Sequence, residues 1–488
     1  MTGTRLTALD GSFLRVESPA AHMHVGWKGF FAPRSDGRPV TVAALRSSID
    51  GRLRHAPRFR QRLAFPPAAI AEPVWVDDAH FDIGDHVLAL AEPGETVTRA
   101  RFDELADRAL SQQLARGRPL WRVLLAPHLD DGTIGLVMQV HHAMVDGKSA
   151  VELALLLLDI SADQPLPAPE DWRAAPAPSP ARLALEALAD RGGESLRFAG
   201  GLARMAVNPG RGIRLADTLR RAAMSVGDDV LRPAPSSFVN VPIGPRRTLV
   251  HHTANIGPLL AVKHRFGATL NDVALTVVAG ALRRLVQDAG GCPEPLRAMV
   301  PVSLRGVEET ASLGNRISFV FVDLPVDRTH PVDRLLAVRA ASLGFKREDT
   351  AHSHEALIDA IGFLPAPLRG TAARLAVRSK LFNLTVSNVP GPRQPVFLLG
   401  AEMIEAVPVV PLADDHALSV GIFSYGPKLV FGCYADPVAL PAVCELPGAL
   451  AEAVVEVGRL APRPAARSRA RARRRRGAEV PARGVAAE

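Results

Sequence analysis

Apolar and polar residues follow patterns along the chain that predict both strands and helices. Residues 123–125 and 133–140 are apolar, β-rich runs, and an Asp-Asp-Gly turn at 130–132 lies between them. This arrangement is typical of a β-hairpin. Residues 418–423 and 429–434 flank a Ser-Tyr-Gly-Pro turn in the same way and predict a second hairpin late in the chain.

Helical periodicity appears between these strand signals. Residues 41–53 and 271–285 place apolar side chains on one face and are predicted to be helices. Another helix is predicted to begin at Ser149, because Ser149 and Glu152 have the spacing of a capping box.

The second half also contains short strand-like segments. Residues 299–303 and 384–387 are predicted strands, and so is 317–324. The last of these is almost entirely apolar, which predicts a strand buried on both faces.

A proline-rich segment separates the two halves. Six of the sixteen residues from 165 to 180 are proline, which predicts an extended crossover. A basic, amphipathic helical pattern follows, from 181 to about 228, and it suits either a helix that covers a neighbouring domain or one that lies on a membrane. We therefore predict an N-terminal domain at 1–163, a linker at 164–236, a C-terminal domain at 237–460 and a disordered tail at 461–488.

The composition is that of a globular protein, with 47% hydrophobic and 22% charged residues in a chain of 488. The absence of any apolar run of about 18 residues argues against a transmembrane helix. The N-terminus has no signal-peptide pattern, and three cysteines are too few for a disulfide framework. We expect a cytoplasmic protein.

The positive charge is concentrated in the tail. The formal net charge is +8, and the tail carries nine Arg and two Glu, or +7, which leaves about +1 for the rest. An arginine cluster at 473–476 can be attracted to any polyanion, so the tail is either simply solvated or drawn to an anionic membrane surface. Zinc-finger spacings and aromatic RNA-binding signatures are lacking, so nucleic acid is not an expected partner.

The clearest chemical signal is His141-His142, followed by Asp146-Gly147, at a predicted strand-to-helix junction. Neighbouring side chains on an extended backbone point in opposite directions, so one histidine can face a pocket. An imidazole there suits a general base. A metal site is an alternative, although no H-E-x-x-H cluster lies nearby, and a purely structural role is another.

Several further motifs, in order along the chain, resemble the bacterial wax ester synthase/diacylglycerol acyltransferase family of the CoA-dependent acyltransferase superfamily. These are Leu6-Thr7-Ala8-Leu9-Asp10, Met23-His24-Val25-Gly26, Pro119-Leu120-Trp121, His141-His142 with Asp146-Gly147, Gly244-Pro245-Arg246-Arg247, Asn271-Asp272-Val273, Pro301-Val302-Ser303-Leu304-Arg305, Gly314-Asn315-Arg316-Ile317-Ser318 and Ser387-Asn388-Val389-Pro390-Gly391-Pro392.

The resemblance implies an α/β fold of two chloramphenicol-acetyltransferase-like domains with mixed sheets, joined by a long crossover linker, with the active site in a tunnel between them. His142 would be the general base, and Asp146 would hold the loop in shape by pairing with an arginine such as Arg305. His141 would have a structural role more than a catalytic one. Asn271 would shape the oxyanion side of the site or, alternatively, cap a helix.

The implied activity is transfer of a fatty acyl group from acyl-CoA, as co-substrate, to diacylglycerol or a long-chain alcohol by direct attack. No other cofactor, no metal and no cysteine or serine nucleophile is expected. Two alternatives remain: a condensation-type transferase that uses carrier-bound donors, and a catalytically idle lipid-binding or lipid-droplet protein. The lipid substrates also suit a peripheral position at the inner face of the cell membrane or on lipid droplets.

Overall fold

The structure is a computed structural model of the chain, and it describes residues 4–67, 71–92, 94–144, 157–165, 167–168, 171–207, 233–303, 317–347 and 381–462. The predicted helix from Ser149 lies outside these residues. So do positions 208–228 of the basic helical pattern and nearly all of the arginine-rich tail.

Helices and strands alternate through both halves. The α-helices of the described residues are α1 (Ala8–Val16), α2 (Val42–Arg52), α3 (Arg99–Leu110), α4 (Pro180–Val207), α5 (Ile256–Phe266), α6 (Leu270–Asp288), α7 (Pro331–Arg347) and α8 (Leu446–Gly458). The strands are β1 (Thr4–Arg5), β2 (His24–Phe31), β3 (Gln61–Ala64), β4 (Val74–Asp77), β5 (Val87–Ala89), β6 (Trp121–Ala126), β7 (Ile134–His141), β8 (Thr248–Asn255), β9 (Leu296–Ser303), β10 (Ile317–Leu324), β11 (Leu384–Pro390), β12 (Phe397–Leu398), β13 (Ala401–Val409), β14 (Leu418–Tyr425) and β15 (Lys428–Ala435).

These strands form two six-stranded sheets and one small sheet. The first sheet has the order β12-β13-β2-β7-β6-β5, the second has the order β10-β9-β11-β14-β15-β8, and the small sheet has the order β1-β4-β3. Both large sheets are mixed, because β5 runs parallel to β6 and β11 runs parallel to β9 and β14, whereas the other pairs are antiparallel. The predicted α/β class with mixed sheets is confirmed.

The clearest sequence patterns form the expected elements. Strands β6 and β7 pair as the first predicted hairpin, and β14 and β15 pair as the second. The second hairpin turns at Gly426, whose φ of 51° is a conformation that glycine adopts at little cost. Helix α2 begins where Thr41 accepts a hydrogen bond from the backbone N–H of Ala44 at 3.1 Å.

The prediction that residues 317–324 would be buried on both faces is wrong. Strand β10 lies at the edge of the second sheet and pairs with β9 alone among the described strands. Val320, Val322 and Leu324 are buried, whereas Asp323 is exposed. An edge strand needs one apolar face, so the apolar run reflected local composition and not burial on two sides.

The second half of the chain completes the sheet of the first half. Strands β12 and β13 follow β11 in sequence, but β13 pairs with β2 of the first sheet. Strand β13 also packs across the second sheet at Gly421 and Gly432, which are directly paired on β14 and β15. A Cβ on Gly432 would lie 2.5 Å from the Pro408 carbonyl oxygen, so only glycine allows this approach.

Helix α4 covers the small sheet at its N-terminal end. Leu183 is buried against Val74 and Val76 of β4. Arg5 of β1 pairs with Asp190 of α4 at 2.7 Å. The covering role predicted for this amphipathic segment is thus confirmed for its first turns, from Leu183 to Asp190. None of the described helices is long and apolar enough to span a bilayer.

We predict that Gly432→Ala destabilises the fold by about 1–3 kcal/mol, because the added methyl group meets backbone that cannot easily move. Urea unfolding of the purified protein measures this change. Gly448→Ala is the matched control, since nothing lies within 4 Å of a Cβ at that position in α8. A Gly432→Ala protein with an unchanged unfolding midpoint would contradict the proposed packing.

Candidate active site

Two sequence motifs hold the backbone of the histidine pair. His141 ends β7, and His142 begins a short 3-10 turn, His142–Met144. The His141 N–H donates to the Leu120 carbonyl at 2.9 Å, and the His142 N–H donates to the Met23 carbonyl at 2.8 Å. Leu120 belongs to the Pro-Leu-Trp motif and Met23 to the Met-His-Val-Gly motif, so three separate motifs meet here.

Helix α1 and Glu17, the residue that directly follows it, contact the two histidines from positions one turn apart. The Phe13 ring stacks on the His142 ring, with centroids 3.8 Å apart and planes 18° from parallel. Four residues later, Glu17 Oε1 lies 3.4 Å from His141 Nε2. Residues at i and i+4 share one face of a helix turn, which explains how one element reaches two neighbouring side chains.

A buried carboxylate forms the centre of a polar cluster behind the histidine pair. Glu17 Oε2 accepts a hydrogen bond from Arg116 at 2.6 Å, and Glu17 Oε1 lies 3.6 Å from His24 Nε2. Burial raises the pKa of the Glu17 carboxyl, but His141 and Arg116 outweigh burial and hold that pKa at about 2. Glu17 is therefore ionised at neutral pH.

His24 is neutral in this cluster. Burial, followed by the neighbouring His141, lowers the pKa of His24 to about 3. The Leu114 N–H donates to His24 Nε2 at 3.3 Å, and Gln139 Nε2 lies 2.6 Å from His24 Nδ1. Strand pairing places His24 directly opposite His141, so the sheet itself assembles the cluster.

The two histidines of the motif have different surroundings. His141 is buried, its Nδ1 accepts a hydrogen bond from the Ala143 N–H at 3.0 Å, and its Nε2 faces Glu17. His142 is partly buried, and its Nδ1 has no hydrogen-bond partner among the described residues. Burial and then His141 lower the pKa of His142 to about 4, so its ring is neutral above that pH.

Asn271 lies on α6 but does not cap it, so the helix-cap alternative is wrong. Thr269 is the cap residue: its side chain accepts from the Asp272 N–H at 3.1 Å, and its own N–H donates to Asp272 at 2.8 Å. Asn388 donates to Asn271 Oδ1 at 3.2 Å. Within the described part of the chain, no hydrogen bond joins Asn271 to His142.

Asp146 and Arg305 lie outside the described residues, so their predicted roles stay predictions. Two cavities, of about 270 and 350 Å³, are lined by described residues away from His142. The tunnel between the halves also stays a prediction. A search of the described residues finds no group of three or more His, Cys, Asp or Glu side chains that could hold a metal ion.

Phe13 and Glu17 were not identified from the sequence. The available signal was their four-residue spacing directly after the Leu-Thr-Ala-Leu-Asp motif, where Thr7 accepts from the Asp10 N–H at 3.1 Å and caps α1. That spacing indicates one helix face, but it does not indicate what the face contacts.

Comparison with known proteins identifies the family. Residues 6–274 match the model of the wax ester synthase/diacylglycerol acyltransferase catalytic domain, and residues 313–457 match the C-terminal domain of the same family. The chain belongs to the wax ester synthase/diacylglycerol acyltransferase family. It is 31% identical over 442 residues to the Mycobacterium tuberculosis protein named probable diacylglycerol O-acyltransferase tgs1. This match covers 88% of the present chain and 90% of the mycobacterial protein.

The fold of this chain is similar to solved structures of a family member and of condensation domains. The wax ester synthase/diacylglycerol acyltransferase from Marinobacter aquaeolei VT8 matches with a TM-score of 0.65 and 25% identity, covering 94% of this chain and 100% of that one. The first condensation domain of the calcium-dependent antibiotic synthetase matches in fold alone, with a TM-score of 0.59, 16% identity, and 95% and 97% coverage. The predicted two-domain fold is confirmed for this family member.

We predict that Glu17→Gln lowers the free energy of unfolding at pH 7 by about 3 kcal/mol, because it removes an ionised carboxylate whose pKa is lowered from 4.5 to about 2. A lowered pKa stabilises the folded state above pH 4.5, and this contribution is lost as the pH falls from 4.5 toward 2.

Urea unfolding at several pH values tests this prediction. The difference between wild type and Glu17→Gln is expected to shrink below pH 4.5. Glu104→Gln is the control, because Glu104 pairs with Arg101 on the exposed surface of α3 and should change the midpoint little. A difference that is independent of pH would contradict an ionised Glu17.

Proposed function

We propose that this protein transfers a fatty acyl group from acyl-CoA to the hydroxyl of diacylglycerol or of a long-chain alcohol. Family membership over both halves of the chain supports the reaction class. The similar mycobacterial protein bears the name of a diacylglycerol O-acyltransferase, and the similar Marinobacter structure bears both family names. The observation that carries the assignment is a neutral, partly exposed imidazole at the motif position of His142.

His142 is the general base in this proposal. Its unprotonated nitrogen takes the hydroxyl proton as the alcohol oxygen attacks the thioester carbonyl carbon. The tetrahedral oxyanion then collapses, the C–S bond breaks, and the protonated His142 returns the proton to the leaving CoA thiolate. The stacked Phe13 ring fixes the plane of the imidazole, and this fixed orientation favours proton transfer from a bound hydroxyl to the ring.

The neighbouring residues are proposed to have two kinds of role, because some position His142 and one contacts the substrate. His141 and Glu17 hold the end of strand β7 in place, and Asp146 is proposed to orient the loop that follows this strand. Asn271 is proposed to donate its amide N–H to the oxyanion. A covalent thioester intermediate is not part of this scheme, because His142 activates the alcohol for direct attack on acyl-CoA. Burial also raises the pKa of the Cys433 thiol to about 12, which makes this one cysteine a poor nucleophile.

Acyl-CoA acts as a co-substrate in this proposal, and no resident cofactor or metal takes part. We also propose that the protein works at the surface of a membrane or lipid droplet. Leu185 and Leu188 are 67% and 57% exposed on the outer face of α4, and both proposed acceptors partition into lipid.

The test is an assay with radiolabelled palmitoyl-CoA and two competing acceptors, diacylglycerol and hexadecanol, presented in phospholipid vesicles with and without EDTA. A labelled triacylglycerol or wax ester supports the proposal, and the product ratio identifies the preferred acceptor. Absence of both esters, with intact labelled palmitoyl-CoA bound to the protein, would favour a lipid-binding protein. Product formation from a carrier-bound thioester alone would favour a condensation-type transferase.

We predict that His142→Ala lowers kcat by about 10²- to 10⁴-fold, the range that a positioned base usually contributes. The His142→Gln substitution should lower kcat by a similar factor, because glutamine keeps a polar side chain but cannot take the proton. His128→Ala is the matched control, since His128 is exposed on the same hairpin. Wild-type turnover in folded His142→Ala would remove this residue from the mechanism.

We predict that the acidic limb of the kcat/KM profile lies near pH 4 and not near 6.5. Because burial lowers the pKa of His142 to about 4, the basic form is populated from about pH 5 upward and is lost only below that. Rates are measured from pH 3.5 to 8, with each sample returned to pH 7 to show reversible loss. A His142-dependent limb at 6.5 would mean that the ring is solvated.

A further inference from the structure

The Asn271 side chain is available for a role other than capping. Thr269 and Asp272 are hydrogen-bonded to each other at the start of α6. The Asn271 amide, in the first turn of the helix, takes no part in these capping hydrogen bonds. Asn271 is partly exposed, whereas the eleven residues that follow it on α6, Asp272 to Leu282, are buried. Its backbone position is fixed by the cap and by the buried helix, and its side-chain torsions are not fixed by either.

Asn388 restrains that amide. Its Nδ2 donates to Asn271 Oδ1 at 3.2 Å across 117 residues of sequence. Asn388 is itself well placed to do so, because β11 is hydrogen-bonded to β14 from Thr385 to Pro390. A donor on a paired central strand is a rigid reference point for a side chain on a neighbouring helix.

The strand pattern explains why a polar residue occurs at this point. Leu384 and Val386 are fully buried in the core that β11 shares with α6, and Asn388 continues the same face by the two-residue period of a strand. At Asn388 this row reaches the first turn of α6. An apolar residue in its place would continue the core but would leave the Asn271 amide free to rotate.

We propose that Asn388 is a positioning residue that sets which atom of the Asn271 amide faces the reaction. With Oδ1 engaged by Asn388, the Nδ2 of Asn271 is the amide atom left to donate to an oxyanion. An unrestrained amide would also present its oxygen, which repels an oxyanion. The inference rests on the proposed acyl transfer and adds a residue to it.

Asn388→Asp tests the direction of the hydrogen bond. A carboxylate can only accept, so the Asn271 Nδ2 would turn toward position 388 and its oxygen would turn outward. We expect kcat to fall by about 10- to 100-fold, with KM for acyl-CoA and for the alcohol changed by less than about 2-fold. This loss is below the 10²- to 10³-fold that removal of an oxyanion donor costs. Asn388→Ala, which introduces no charge, should give a smaller fall in kcat.

A double-mutant cycle separates positioning from a general structural role. Asn271→Ala removes the amide that Asn388 orients, so adding Asn388→Asp or Asn388→Ala to Asn271→Ala should lower kcat no further. Asn255→Asp is the matched control, because Asn255 accepts from the Gly257 N–H at the exposed cap of α5 and aspartate can cap equally well.

Two results would overturn the positioning role in an active enzyme: wild-type kcat in both Asn388 variants, or losses that multiply independently with that of Asn271→Ala. If Asn388→Asp does not fold, the same comparison with Asn388→Ala decides. Failure of the wild-type protein to form any ester would instead overturn the proposed function, and the two outcomes are therefore distinguishable.

Discussion

The buried Glu17 carboxylate is the interaction on which the arrangement of the site depends. A charge removed from water must be paired, and Glu17 is paired on one side by Arg116 and faces His24 and His141 on the other. This requirement positions the end of α1 against the ends of β2 and β7. Phe13 occupies the same helix face one turn earlier, so the position of the Glu17 carboxylate also determines where an aromatic ring meets His142.

A second constraint joins the two halves. Strand β13 belongs by sequence to the second half, and it adds to the first sheet beside β2 while it packs on β14 and β15. The close approach at Gly421 and Gly432 leaves no room for a side chain there. The halves are therefore not independent modules that happen to touch, since the first sheet gains two strands only when the second half is in place.

The proposed chemistry divides between these two assemblies. The proposed base His142 directly follows strand β7 of the first sheet and stacks on Phe13 of α1, whereas Asn271 and Asn388 belong to the helix and sheet of the second half. Condensation domains share this fold at low sequence identity, so the fold alone does not set the acceptor. The lowered pKa of His142 follows from burial, a property of the assembled site, and not from the identity of the residue.

Local sequence patterns determined several of the secondary-structure elements of this protein. Both hairpins, α2 and the helix from Leu270 to Asp288 follow from periodicity and turn residues, and the order of short motifs identified the family. The same motifs predict His142 as the base, and that role stays a proposal. Long-range pairing decided the rest. Strand β13 crosses into the first sheet, Glu17 pairs with Arg116 and Asn271 is hydrogen-bonded to Asn388, and each of these contacts joins segments far apart in the chain. The edge position of β10 follows from the strand order of the complete sheet. Hydrophobic periodicity and capping motifs indicate how a residue interacts with its neighbours along the backbone. A partner a hundred residues away is determined instead by the free energy of burying and pairing groups in the complete fold.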